Sequence, residues 1–298
     1  MGDHVPRLRP LGRSATTRLA LAAGLIQSGR YEPALDELEL ALSDNPELPK
    51  AHLLKGLIMA QRGELAVAAL HLETAARLDD HLAPAWLGLA WVHRKSGDAT
   101  KALKAARRAV TLAPSDAAAH AMAGQILADA GRSDEAVIAL RRAVSCDPGQ
   151  GRPRALLGEL LGRNAPSDDS LSQLLVAARL NPQRDATAIA IGDLLATRGD
   201  LDGAMDAYKL ALQYSPPRSG TALARLGKSF LAADMPREAL FALRAAIRTD
   251  PRDVAAMVDL ARVYLATPGC AERAREMLQA ALEVDPSHAE AKDLLAKA

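Results

Sequence analysis

The chain has 298 residues, more than a single hydrophobic core usually organises, so several domains or a modular stack is expected. Its 37 Lys and Arg against 36 Asp and Glu leave a net charge of +1, which excludes a binder of nucleic acid or anionic membrane built on a basic excess. Aromatic residues make up 3%, so packing must rely on close approach of small residues, and Cys146 and Cys270 show no C-x-x-C spacing, which suggests neither a disulfide framework nor a zinc site and fits a reducing, cytoplasmic setting. From the N-terminus, residues 1–14 lack periodicity, hold three arginines and two prolines, and are read as a mobile arm. Arg7, Arg9, Arg13 and Arg18 before the apolar run from Leu19 to Ile26 superficially resemble a leader. The run is read instead as a helix of the array, because Leu21, Ala22 and Leu25 keep the register that Ala34, Ala41 and Pro46 complete. Pro6 breaks the myristoylation pattern after Met1-Gly2, and no stretch approaches the roughly 20 apolar residues of a membrane span.

Beyond the arm the chain repeats itself. Ala41, Ala75, Ala109, Ala143, Ala177 and Ala211 are spaced by 34 residues, and Ala246 and Ala281 follow at steps of 35. Five residues after each stands Pro46, Pro114, Pro148, Pro182, Pro216, Pro251 or Pro286, with Asp80 alone breaking that row. A fixed period of this length marks a stacked repeat array. With the proline at position 32, the eight repeats are 15–48, 49–82, 83–116, 117–150, 151–184, 185–219, 220–253 and 254–288.

Within a repeat, position 8 is always small: Ala22, Gly56, Ala90, Gly124, Gly158, Gly192, Gly227 and Ala261. Position 20 is alanine in every repeat except for Ser170, and position 27 is the alanine row. Larger apolar residues recur at position 7 and at position 24, as at Leu38, Leu72, Leu140, Leu174, Tyr208, Leu243 and Leu278. Positions 4, 7, 8 and 11 share one helical face, and so do 20, 24 and 27, so each repeat should hold two short helices. Gly29, Gly63, Gly97, Gly131 and Gly199 fall between them, suited to a left-handed helix end. Glycine inside a helix costs about 1 kcal/mol against alanine, so its recurrence at position 8 predicts close backbone approach there.

Several departures stand out. Repeat 2 has Lys55 at position 7. Repeat 5 lacks the turn glycine and reads Asn164-Ala165-Pro166-Ser167-Asp168-Asp169, which predicts a late second helix with Ser and Asp as cap material and makes this turn either a hinge or a tolerated irregular loop. Extra residues are expected near Thr267-Pro268-Gly269 and Pro217-Arg218-Ser219-Gly220. Residues 289–298 are read as a capping helix, with Leu294 and Leu295 covering the last repeat.

These residues resemble the tetratricopeptide repeat, whose pattern is Trp at 4, Leu at 7, Gly at 8, Tyr at 11, Ala at 20, Phe or Tyr at 24, Ala at 27 and Pro at 32. Repeat 3 matches closely through Trp86, Leu89, Ala90, Ala102, Ala109 and Pro114. The resemblance covers residues 15 to 288 and implies an all-α, right-handed α-solenoid superhelix of eight helix-turn-helix repeats with a short C-terminal capping helix. It also implies a concave groove lined by positions 2, 5, 9 and 12 of the first helices. Position 9 there reads Ala23, Leu57, Trp91, Gln125, Glu159, Asp193, Lys228 and Arg262, a row that passes from apolar to acidic to basic. No repeat carries the Lys at 5 with Asn at 9 that the family's carboxylate clamp uses.

Trp91, flanked by Leu53, Leu57 and Leu87 and followed by Arg94 and Lys95, is either an anchor for an apolar partner side chain or a residue packed between helices. The Glu159, Asp193, Lys228 and Arg262 row is expected to bridge adjacent repeats. A second charged patch holds Lys101, Lys104, Arg107 and Arg108; repeat 3 has six basic and two acidic residues, whereas repeat 1 has two basic and six acidic.

Catalysis is not expected. There is no H-E-x-x-H, no phosphate-cradling loop and no G-x-S-x-G, and His52, His120 and His93 fall where the pattern places aromatics. The reading is therefore a non-enzymatic, cytoplasmic, bacterial scaffold or adaptor that binds a peptide or protein, with no cofactor, metal, small-molecule substrate or nucleic acid. Its alternatives are a substrate-presenting or docking region of a larger enzyme or secretion or envelope machine, and a self-assembling homo-oligomer.

Overall fold

A computed structural model describes residues 14–181, 185–214 and 220–298. The N-terminal arm before Ser14, Pro182, Pro216 and most of the insertion expected near Pro217 lie outside the described residues. Contacts divide the chain into two compact units, Met1–Pro148 and Gly149–Ala298. All regular structure among the described residues is α-helical.

The N-terminal unit is a series of helix pairs: α1 (Ala15–Gln27) with α2 (Tyr31–Asp44), α3 (Pro49–Arg62) with α4 (Leu65–Leu78), α5 (Ala83–Lys95) with α6 (Ala99–Leu112), and α7 (Ala117–Asp129) with α8 (Ser133–Cys146). The C-terminal unit continues the pattern with α9 (Gly151–Asn164) and α10 (Asp168–Leu180), α11 (Asp185–Thr197) and α12 (Leu201–Tyr214), α13 (Gly220–Ala232) and α14 (Pro236–Thr249), and α15 (Val254–Ala266) and α16 (Ala271–Val284). It ends with α17 (Ala289–Lys297), whose Leu294 and Leu295 pack on the core of the last pair. The His288 ring caps α17 by accepting from the Ala291 N–H at 3.2 Å.

Position 8 explains why the pairs close. A Cβ at Gly56, Gly124 or Gly158 would lie 2.7 Å from Cγ of Leu72, Leu140 or Leu174, the position-24 leucine of the same repeat. In repeat 6 the partner is Tyr208, whose ring occupies the space over Gly192. The first helix therefore lies directly on positions 20 and 24 of the second. Every residue in the position 20 and 27 rows, Ser170 included, is at most 2% exposed. The six position-24 leucines are buried as fully, each contributing about 1.5–3 kcal/mol relative to an exposed side chain.

The five turn glycines have positive φ and end the first helices in the left-handed conformation. In repeat 7 a non-glycine takes that role: Asp234 has φ 55°. The repeat 5 turn is built differently. The Ser167 side chain accepts from the Ser170 N–H at 3.3 Å, and Ser170 Oγ accepts from the Ser167 N–H at 3.1 Å, forming a capping box at the start of α10. The division of the chain falls at Pro148, ahead of this turn.

A second regularity joins consecutive repeats. Trp86 Nε1–H donates to the Asp80 carbonyl at 3.1 Å, His120 Nε2 lies 2.9 Å from the Pro114 carbonyl, and His52 Nε2 lies 3.0 Å from the Pro46 carbonyl. Each ring sits at position 4 and each carbonyl at position 32 of the repeat before. A carbonyl only accepts, so Nε2 carries the proton in both histidines. Histidine thus replaces tryptophan here because it keeps the N–H.

Candidate partner-binding site

Within each unit the first helices contact one another in sequence, α1, α3, α5 and α7 in one and α9, α11, α13 and α15 in the other, and second helices pack between their own first helix and the next. The face of the first helices is where the position-9 residues fall. In the N-terminal unit, Leu57 is 40% exposed, while Leu87, Trp91 and Gln125 are half-buried. Leu53 is buried within the core, so it belongs to the stack and not to the open face. Trp91 packs its ring against that core and carries Lys95 Nζ 5.7 Å above its centroid, a spacing suited to a cation–π contact. The Arg94 guanidinium reaches the Asp129 carboxylate of the next repeat. Trp91 therefore presents one flank to the core and the other toward the face.

In the C-terminal unit the face of the first helices hollows into a cavity of about 610 Å³ across α9, α11 and α13. Glu159, Asp185 and Asp193 supply carboxylates, Arg163 a guanidinium, and Ile189 and Leu194 apolar wall. Asp193 is fixed from behind: Tyr208, buried beneath it, donates its hydroxyl at 2.8 Å, and Arg225 of the next repeat lies 3.3 Å away. Burial and the Asp193 carboxylate together push the Tyr208 phenol well above its ordinary value, so it stays a donor. Glu159 is likewise engaged within the chain.

Two of the position-9 charges pair with residues off that row. Asp193 meets Arg225, and Arg262 meets Asp259 at 3.3 Å and Glu290 of α17. Asp193 and Arg262 reach neighbouring helices diagonally, through Arg225 of α13 and Glu290 of α17, whereas Asp259 lies on the same helix as Arg262. Lys228 is exposed beside Asp259, whose carboxyl is raised by burial against the opposing pull of Arg262 and Lys228.

The basic patch is less free than its sequence suggests. Arg108 pairs with Asp80, the residue that replaces the proline of repeat 2, and Lys101 pairs with Asp98 at 3.2 Å. Lys104 and Arg107 remain exposed. Lys55 is accommodated at an apolar position by stretching to Glu39 at 3.0 Å.

Sequence reasoning missed Asp185 and Arg163 as cavity residues. The available signal was Gly158 with Gly162, two glycines four residues apart that sit beside Glu159 and Arg163 on α9. Among the described residues no group of three or more His, Cys, Asp and Glu could hold a metal, and no helix is long and apolar enough to cross a membrane.

Stacked helix pairs with an open inner face define a helical-repeat protein. Family models described as tetratricopeptide repeat match residues 19–83, 87–151 and 230–298, and the chain belongs to that family. The unmatched stretch, residues 152–229, holds repeats 5 and 6 and the start of repeat 7, and includes the repeat 5 turn that lacks the glycine. No curated protein matches the chain.

Among solved structures, a chain of the APC/C hetero-tetramer Cut9–Hcn1 is similar at a TM-score of 0.67 and 20% identity, with 97% of this chain and 57% of that one covered. The chain thus spans little more than half the length of that relative. PilF of Pseudomonas aeruginosa is similar at 0.63 and 21% identity, covering 74% and 97%. YrrB, a TPR protein with an unusual peptide-binding site, is similar at 0.53 and 19% identity, covering 66% and 97%. At these identities the likeness concerns the fold.

Proposed function

We propose that the protein is a non-enzymatic adaptor that holds a segment of a partner protein against the face of its first helices. The carrying observation is the cavity across α9, α11 and α13, where carboxylates of Glu159, Asp185 and Asp193 stand beside Ile189 and Leu194. Such a site suits a Lys or Arg side chain flanked by apolar residues, the charge meeting the carboxylates and the aliphatic stem lying on the wall. Protein-partner binding is the general role of the family, and YrrB supports the reading as a TPR protein with a peptide-binding site of its own. Trp91, Leu57 and Leu87 offer an apolar contact of the kind that dominates peptide affinity.

The test is fluorescence anisotropy of the full chain against labelled peptides that alternate basic and apolar residues, with acidic peptides as controls. Glu159→Lys should weaken the best basic peptide at least tenfold without loss of helicity. Equal affinity in wild type and variant, or preference for the acidic set, would rule the reading out.

A further inference from the structure

The outer faces of α2, α4 and α6 carry a charge order that inner-face binding does not use. These are the second helices of three consecutive repeats, buried through their small residues, with the opposite side turned to solvent. Helix α2 contains five carboxylates and no basic residue, α4 one acid and one base, and α6 four basic residues and no acid. Between the charged helices, α4 exposes Val67 and Leu70, the latter by 62%.

Several α2 carboxylates already meet cations at the edge of the first helices: Glu32 meets Arg62, and Glu39 meets Lys55. Glu32 and Glu39 nonetheless remain 81% and 64% exposed, and exposed pairs of this kind exchange partners at little cost. Asp36, Lys104 and Arg107 are exposed and have no ionic partner among the described residues.

An order of acidic, apolar and basic is self-complementary about its middle. A two-fold axis through α4 sets Leu70 against Leu70 of a second copy and places each α2 on the other copy's α6. A surface that meets itself in this way is the requirement of an isologous dimer. We propose that the α2–α4–α6 face is the interface of a two-fold symmetric homodimer of this chain.

The size of the face sets the strength. Helices α2, α4 and α6 have 14 residues each and are about 21 Å long, and each packs chiefly on its own and the next first helix, so the face consists of three separate ridges. Three such ridges make a contact of modest area, so the dimer forms with rising concentration and weakens with salt. This interface is independent of the inner-face cavity, and its failure would leave the peptide-binding reading untouched.

Sedimentation equilibrium of the full chain, from about 1 to 200 µM at low and at high salt, tests it. The mass should rise from the 31.5 kDa monomer toward twice that value at low salt and fall back at high salt. Asp36→Lys with Glu39→Lys should raise the dimer Kd at least tenfold, and so should Lys104→Glu with Arg107→Glu, both with unchanged helicity. Mixed in equal amounts, the two variants should associate, since each then presents the charge that the other lacks. A wild type that stays monomeric, a dimer indifferent to both variants, or a mixture that fails to associate would each overturn the proposal.

Discussion

Replacing Gly124 by alanine separates packing from helix propensity. In an open helix this change stabilises by about 1 kcal/mol. At Gly124 the new Cβ would lie 2.7 Å from Leu140 Cγ and 2.9 Å from Cδ2, inside any real contact distance. Leu140 is buried at 1% exposure and has no room to retreat, so overpacking should cost about 1–3 kcal/mol and outweigh the propensity gain. The expected net loss is up to about 2 kcal/mol, measured by urea unfolding followed by circular dichroism. Gly24 in α1 is the matched control: nothing lies within 4 Å of its Cβ, and Gly24→Ala should stabilise by up to about 1 kcal/mol. Leu140→Ala alone should cost about 2–5 kcal/mol, and combined with Gly124→Ala it should cost less than the sum, because the new methyl enters the vacated space. If Gly124→Ala raised the midpoint as Gly24→Ala does, the close-approach account of position 8 would be wrong.

Three further outcomes follow from the geometry. Asp234→Gly relieves a left-handed residue and should stabilise by about 0.5–1 kcal/mol; a loss of stability would show that the Asp234 side chain holds the turn. Tyr208→Phe deletes a buried donor to a carboxylate and should cost about 1.5–3 kcal/mol in the same urea assay, whereas a neutral result would show the bond to be incidental. His52 and His71 face each other through Nδ1 at 3.0 Å, and His71 is held below its ordinary value by burial first and by Lys55 and His52 next. The unfolded chain therefore takes up this proton at higher pH than the folded one, so stability present at pH 7.5 is lost as pH falls through about 6.5. The melting temperature should drop between pH 7.5 and 5, and less so in His71→Gln; an unchanged slope in that variant would refute the assignment.

The fold was legible because its determinants are local and periodic. Small residues at positions 8, 20 and 27 state a backbone requirement that one sequence displays eight times over, and glycine at the turn adds another in five repeats. The candidate site was legible in its rows but not in its shape. Glu159 and Asp193 could be placed on the inner face from register, whereas Asp185 and Arg163 enter the cavity through side-chain direction. Leu53 shows the opposite failure: its position is that of a face residue, yet packing within the stack buries it. The ion partners Asp129, Arg225 and Glu290 were invisible for the same reason, since they lie one repeat onward and off the row.

The pairing of position 8 with position 24 bears on how such an array can be recombined. Both members lie in one repeat, on either side of its internal turn, so a crossover at the proline passes the pair on intact. A crossover inside the turn parts them. Joining the first helix of repeat 3 to the second helix of repeat 6 would set Ala90 in the space that the Tyr208 ring fills over Gly192. The unit of inheritance is therefore the whole helix pair, and libraries built by shuffling these repeats should yield folded chains when cut at position 32 and defective ones when cut at position 15.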